Sequence, residues 1–265
     1  MTVPTLSRNR TQTRSSFLTL LRALVLRDIR ARYRRSILGP LWAILQPLIL
    51  MVLFNMLRQI VEIPSDGAPY LIFSYSALVP WTFFSNAVIR CGPSVASNAG
   101  LVKKMSITRE VFPTAAVITA LFDLFMSGLV LFGMMLYYDV ALTTHLLWLP
   151  LLVVITAALA WGVGIGVSSL ATFKNDFIFA TPFLMQVWLY ATPVIYPLSS
   201  VPKEWLTLYR LNPTVGLIES YRAVIVFGEM PDVGLIAQAA GGTLLICAIT
   251  WPFFRRVSQY FADVL

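Results

Sequence analysis

Six apolar stretches, 37–57, 70–89, 111–138, 146–173, 177–197 and 233–254, each offer the roughly 20 residues that a helix needs to cross a hydrocarbon core of about 30 Å. No water satisfies backbone polar groups at that depth, so each crossing must be helical. The fold class predicted is an all-α integral membrane protein with six transmembrane helices, the third and fourth long enough to tilt or protrude. With 58% hydrophobic residues, 12% charged residues and a mean hydropathy of +0.76, there are too few polar side chains to coat a soluble globule of 265 residues.

A net charge of +8 would in a soluble chain suggest nucleic acid, but here position decides its meaning. Arg8, Arg10, Arg14, Arg22, Arg27, Arg30, Arg32, Arg34 and Arg35 all precede the first span, which places the N-terminus in the cytosol. Six crossings return the C-terminus to the same side. The later bases agree: Arg90, Lys103, Lys104 and Arg109 in the second loop, Lys174 in the fourth, Arg255 and Arg256 after the last span. Residues 1–16 lack the apolar core of a signal peptide and read as a cytosolic tail.

Residues 17–36, written as a helix, put Leu18, Leu21, Val25, Ile29 and Tyr33 on one side and Arg27, Arg30 and Arg34 opposite, an amphipathic interface helix on the inner leaflet. Each arginine there contributes on the order of 1 kcal/mol against an anionic surface. Anchor and specific contact are both open. Gly39, Pro40 and Pro47 mark a bent entry into the first span. The loop at about 91–110 carries Leu101 and Val102 ahead of Lys103 and Lys104, a short helix suited to docking or merely a basic loop obeying topology. On the outer side, at about 203–228, the apolar piece 214–227 reaches only about 21 Å and is broken by Glu219 and Arg222, spaced to pair. It predicts a re-entrant helical hairpin, whose irregular backbone must be covered by protein or line a wet cavity.

Catalytic signals are scarce. No P-loop occurs, and Gly162, Gly164 and Gly166 lie within an apolar span, where small residues allow close helix packing. One histidine and two scattered cysteines suggest no triad, metal site or disulfide framework. Asp123 is the only acid deep within a predicted span; it should face the bundle interior, a partner subunit or water.

Six motifs in order make the chain resemble the permease subunit of an ABC-2-type polysaccharide exporter, of the O-antigen kind. They are RDIRARYRRSILGPLWAILQPL (27–48), PSDGAPYLIFSYSALVPWTFFS (64–85), NAGLVKKMSITREVFP (98–113), FKNDF (173–177), TPVIYPLSSVP (192–202) and LNPTVGLIESYR (211–222). Two departures, KMSITR where K-x-Y-F-P-R is usual and Asn175-Asp176-Phe177 where R-D-F is common, bear on the detail of ATPase docking. The resemblance implies a homodimer in the bacterial inner membrane, both termini cytosolic, carrying two copies of a separate ATPase that holds ATP and Mg. This chain would bind no cofactor or metal, have no catalytic residue and engage no nucleic acid. Asn98, Leu101, Lys103 and Lys104 would couple to the ATPase. The cargo implied is a polyprenyl-pyrophosphate-linked glycan, with Arg30, Arg32, Arg34 and Arg35 at its pyrophosphate, Trp42, Trp188, Tyr190 and Tyr196 along its path, and Glu219 and Arg222 in a gate hairpin. Two alternatives stand beside it: an ABC-2 exporter of another cargo (capsular polysaccharide, teichoic acid or a drug), and a membrane-embedded glycan-assembly enzyme using Asp123 and Glu219.

Overall fold

The structure is a computed structural model describing residues 10–34, 36–104 and 107–265, with residues 10–16 as backbone alone. Arg35, expected at the pyrophosphate, and most of the N-terminal tail lie outside the described residues. Helices follow one another as α1 (Arg10–Tyr33), α2 (Leu41–Val61), α3 (Tyr70–Ser94), α4 (Ala99–Lys104), α5 (Val111–Tyr137), α6 (Leu149–Phe173), α7 (Asp176–Tyr190), α8 (Lys203–Leu211), α9 (Pro213–Ile225), α10 (Val233–Ser258) and α11 (Phe261–Val264). Among the described residues, α2, α3, α5, α6 and α10 are long and apolar enough to cross a membrane.

The core forms around α3, which is buried nearly all round, whereas α2 and α10 bury little of their apolar surface. Helix α3 packs on α5 and α6, and α6 packs in turn on α10. Glycine sets that sandwich. A Cβ on Gly164 would lie 2.6 Å from Cys91 Sγ on α3, one on Gly162 2.7 Å from Cys247 Sγ on α10, and one on Gly166 3.1 Å from Thr250 Cγ2. The three glycines are therefore packing positions, and the two cysteines are their contacts.

Several boundaries and one face differ from the sequence expectation; α10, for one, runs to Ser258, so Arg255 and Arg256 belong to that helix rather than following it. The first span starts at Leu41 rather than at 37, because Gly39 adopts φ +50 and donates its N–H to Ser36 Oγ, closing a turn that leaves Ile37 exposed. Helix α3 runs five residues beyond 89, so Arg90 belongs to a helix and not to the second loop. Helix α7 stops at Tyr190, short of 197, where Thr192 and Pro193 enter a turn. On α1 the inward face is rotated: Leu18 is 56% exposed, while Leu24, outside the expected stripe, is 3% exposed. The cause is tertiary. Helix α1 packs along α5, and Leu24 joins Val95, Val102, Phe112, Ile165, Phe254 and Phe261 in a second apolar cluster at the end of the bundle that carries α4 and α11.

Candidate functional site

Two polar assemblies stand out, one at each end of the bundle. At the end that carries α4 and α11, α1 follows the first three turns of α5, from Leu24 beside Phe112 to Tyr33 beside Phe122, a rise of about 15 Å on α5. There the Asp123 carboxylate, 8% exposed, meets three donors. Arg32 Nη1 lies 2.7 Å and Arg90 Nη2 2.5 Å from its Oδ2, and the Tyr33 hydroxyl donates to its Oδ1. Burial first, and the adjacent carboxylate second, push the Tyr33 phenol up, so it stays protonated and donates. One turn on, Ser127 Oγ donates to the Ala43 carbonyl at 2.7 Å. Four helices, α1, α2, α3 and α5, thus meet within two turns of Asp123. The expectation that this acid faces the interior holds, and its partners are cations from two other helices.

Trp42 does not join the other aromatics expected along a path. It is exposed and lines an open hollow of about 510 Å³ with Arg32, Tyr33, Gln46, Ile49 and Leu50, between α1 and α2. Arg30 and Arg34 lie next to it, lining a second hollow with Ile29, Tyr33, Pro40 and Phe122. Guanidiniums therefore line both hollows, and the one with Arg32 also carries the apolar flank of α2.

The segment that leads into α4 joins this assembly directly. Arg27 Nη1 donates to Asn98 Oδ1 at 2.8 Å, and Asn98 Nδ2 donates to the Ser94 carbonyl. On α4, Lys103 and Lys104 are exposed, whereas Leu101 packs partly inward against the buried Val102 and its cluster. The C-terminal end returns to the same rim: Arg109 donates to the Ser258 carbonyl, Arg255 lies 3.1 Å from Glu110, and Phe261 packs on Phe173 and Phe254.

At the other end, α8 and α9 follow one another with Asn212 between them. Asn212 Oδ1 accepts from Trp188 Nε1 (3.1 Å), the Thr214 amide (3.1 Å) and Thr214 Oγ1 (2.7 Å), and Nδ2 donates to Thr192 Oγ1 at 3.2 Å. Asn212 thus ties the break between the two helices to α7 and to the first turn of α9. Close packing seats α9: a Cβ on Gly216 would lie 2.6 Å from the Leu235 carbonyl of α10.

Arg222 is the largest fully buried side chain, 1% exposed. It pairs with Glu219 at 2.8 Å, donates to the Tyr196 carbonyl (3.1 Å) and the Val194 carbonyl (2.6 Å), and lies 3.9 Å over the Phe73 ring. The predicted Glu219–Arg222 pair is present, and it fixes the turn that ends α7. Trp188, Tyr190 and Tyr196 come together here, with the Tyr196 hydroxyl 2.9 Å from the Tyr190 carbonyl and 3.1 Å from Tyr209. Among them Tyr190 is exposed and Trp188 is wedged edge-on against Phe84.

Sequence reasoning missed Arg90, Tyr33 and Asn212 as site residues. An acid with no cation on its own span is the signal that asks for a partner, and Arg90 ends the preceding span.

An all-helical chain with five helices long and apolar enough to cross a membrane among its described residues defines a multi-pass membrane protein, and the comparison with known families gives its class. The ABC-2 type transporter family matches residues 19–226, and the chain belongs to that family. Along nearly their full lengths it is similar to the O-antigen export system permease protein RfbA of Myxococcus xanthus, 30% identical over 91% of this chain and 94% of that protein. The RfbA of Klebsiella pneumoniae is 23% identical over 93% and 95%. The polysialic acid transport protein KpsM of Escherichia coli is 26% identical over 88% and 91%.

Proposed function

We propose that this chain is the transmembrane subunit of an ATP-driven exporter that moves a polyprenyl-pyrophosphate-linked, O-antigen-like polysaccharide across a bacterial inner membrane. The observation that carries the reading is the end-to-end similarity to permeases named for O-antigen export. In this reading two copies form the path and each engages a separate ATPase, which holds ATP and Mg. The chain itself is a conduit and performs no catalysis.

The topology belongs to the same proposal. The start of α5 and the end of α10 share one rim through Arg109 and Ser258, as do the end of α6 and α11 through Phe173 and Phe261. That shared rim supports a further crossing between Phe173 and Val233. Helix α7 spans about 22 Å, and the turn held by Arg222 completes the sixth crossing. Both termini then lie in the cytosol, with Lys103, Lys104, Lys174, Arg255 and Arg256 on that side.

Mechanically, the hollows beside α1 and α2 supply what a lipid-linked pyrophosphate needs at its starting depth: cations at Arg30, Arg32 and Arg34, and apolar surface on α2 for the lipid. Arg32 also holds Asp123, so it links the headgroup site to the core. Closure of the ATPases moves α4 through Lys103 and Lys104, and the Arg27–Asn98 contact passes that movement to α1. Along α1 the Asp123 cluster passes it to α3 and α5. The glycan then follows an aromatic path past Trp42 and out by Trp188, Tyr190 and Tyr196, with the Glu219–Arg222 hairpin as the outer gate. Sugar rings stack on aromatics through C–H faces, and such contacts tolerate sliding.

The similarity to KpsM favours one second reading, a capsular polysaccharide as cargo. Expression with candidate ATPases from the same genome, followed by identification of the copurified lipid-linked glycan, separates the two. Failure to recruit any ATPase would sink both.

A further inference from the structure

Between α1 and the inner ends of α3 and α5 lies a separate hollow of about 330 Å³. Its wall carries Arg27, Arg32 and Arg90 against Asp28, and Asp123 holds Arg32 and Arg90 from one side. Three guanidiniums against two carboxylates leave one positive charge.

Two donors on this wall have no partner: Arg90 Nη1, whose other amine holds Asp123, and Thr119 Oγ1, on a residue 5% exposed. The neighbouring hydroxyls of Ser94 and Ser97 donate to carbonyls of their own segment, at 2.7 Å each, so an unused hydroxyl is an exception here. A buried polar group left unpaired loses the hydrogen bond that water would have supplied. Water could satisfy the geometry, but it cannot balance the charge. A group made of acceptors, and negative, does both.

We infer that this hollow is a binding site for a phosphate-class anion, held by Arg90 and Thr119 between α1, α3 and α5. It shares Arg32 with the surface proposed for the cargo, whereas Arg30 and Arg34 lie outside its wall. Basic pockets between helices at the cytosolic face suit lipid headgroups, and a free phosphate ion offers the same oxygens. Either occupant ties α1 to α3 and α5 beside the Asp123 cluster, on the route by which the coupling segment would move the core.

The test uses the full chain in nanodiscs of digalactosyldiacylglycerol, a bilayer lipid without phosphorus. Inorganic phosphate and phosphatidylglycerol are titrated separately and in competition, and binding is read as a saturable thermal shift. Wild type binds at least one of the two probes. Thr119→Val, which changes little in volume, weakens binding about tenfold, the value of one hydrogen bond to a charged group. Arg90→Gln removes it, and Arg22→Ala, an exposed cation elsewhere on α1, leaves it unchanged. Phosphatidylglycerol binding displaced by inorganic phosphate identifies a free-ion site; binding of phosphatidylglycerol alone identifies a lipid site. If neither probe binds, or if Thr119→Val binds as wild type does, the inference is overturned. Export is not measured, so this result stands apart from the success or failure of the exporter reading.

Discussion

Replacing Asp123 by Asn tests the joint between α1 and the core. The asparagine keeps the volume but removes the charge that holds Arg32 and Arg90. Breaking a buried ion pair by removing one partner costs about 3–5 kcal/mol. Here the two arginines remain 31% and 22% exposed and can turn toward solvent, which reduces the expected loss to about 2 kcal/mol. The loss falls on the attachment of α1, because Arg32 and Tyr33 are its last fixed points before the Gly39 turn. Hydrogen exchange of the α1 amides between Leu24 and Tyr33 should accelerate about thirtyfold, while the amides of α3 and α6 stay protected. Arg32→Gln should give a similar change, and the double variant should add little to either single one, since both remove the same contact. Exchange in α1 within about twofold of wild type, or fully additive effects of the two substitutions, would refute the reasoning.

Further outcomes follow from other contacts. Gly162→Ala places a methyl against Cys247 Sγ and should lower stability by about 1–3 kcal/mol, with Cys247→Ala restoring much of it, measured by thermal unfolding in detergent. Arg222→Leu leaves Glu219 and two carbonyls unpaired and should cost about 3–5 kcal/mol. Arg222→Lys should recover only part, because an ammonium cannot fork to all three acceptors. Lys103→Glu with Lys104→Glu should leave the unfolding temperature unchanged but reduce ATPase recovery in a pull-down. Arg34→Ala should lower export while the ATPase still copurifies.

Long-period signals in the sequence survive into the fold, and short polar partnerships do not. Apolar runs long enough to cross a membrane lie within a few residues of their helices, because length and hydropathy alone carry that information. The small-residue positions at 162, 164 and 166 and the Glu219–Arg222 pair were legible for the same reason: each is a local spacing. Arg90 was misplaced because a hydropathy window ends at a charge, whereas the helix continues through it once Asp123, 33 positions away, neutralises it. The buried face of α1 was misjudged because the stripe was drawn through Leu18, which lies about 120° around the helix from Leu24. Only the presence of Phe112 and Phe254 beneath the helix decides for Leu24. Trp42 was grouped with Trp188 by chemistry, yet α2 carries it to the arginine side of the molecule.

The central claim, that this chain is an ATP-driven conduit for a lipid-linked glycan, is tested most directly by transport in proteoliposomes holding the chain and its ATPase. A fluorescent polyprenyl-pyrophosphate glycan should cross to the opposite leaflet only with ATP and both subunits, and should stop crossing when the ATPase loses its nucleotide-binding lysine. Movement that persists without ATP, or chemical turnover of the glycan lipid by this chain alone, would contradict the account.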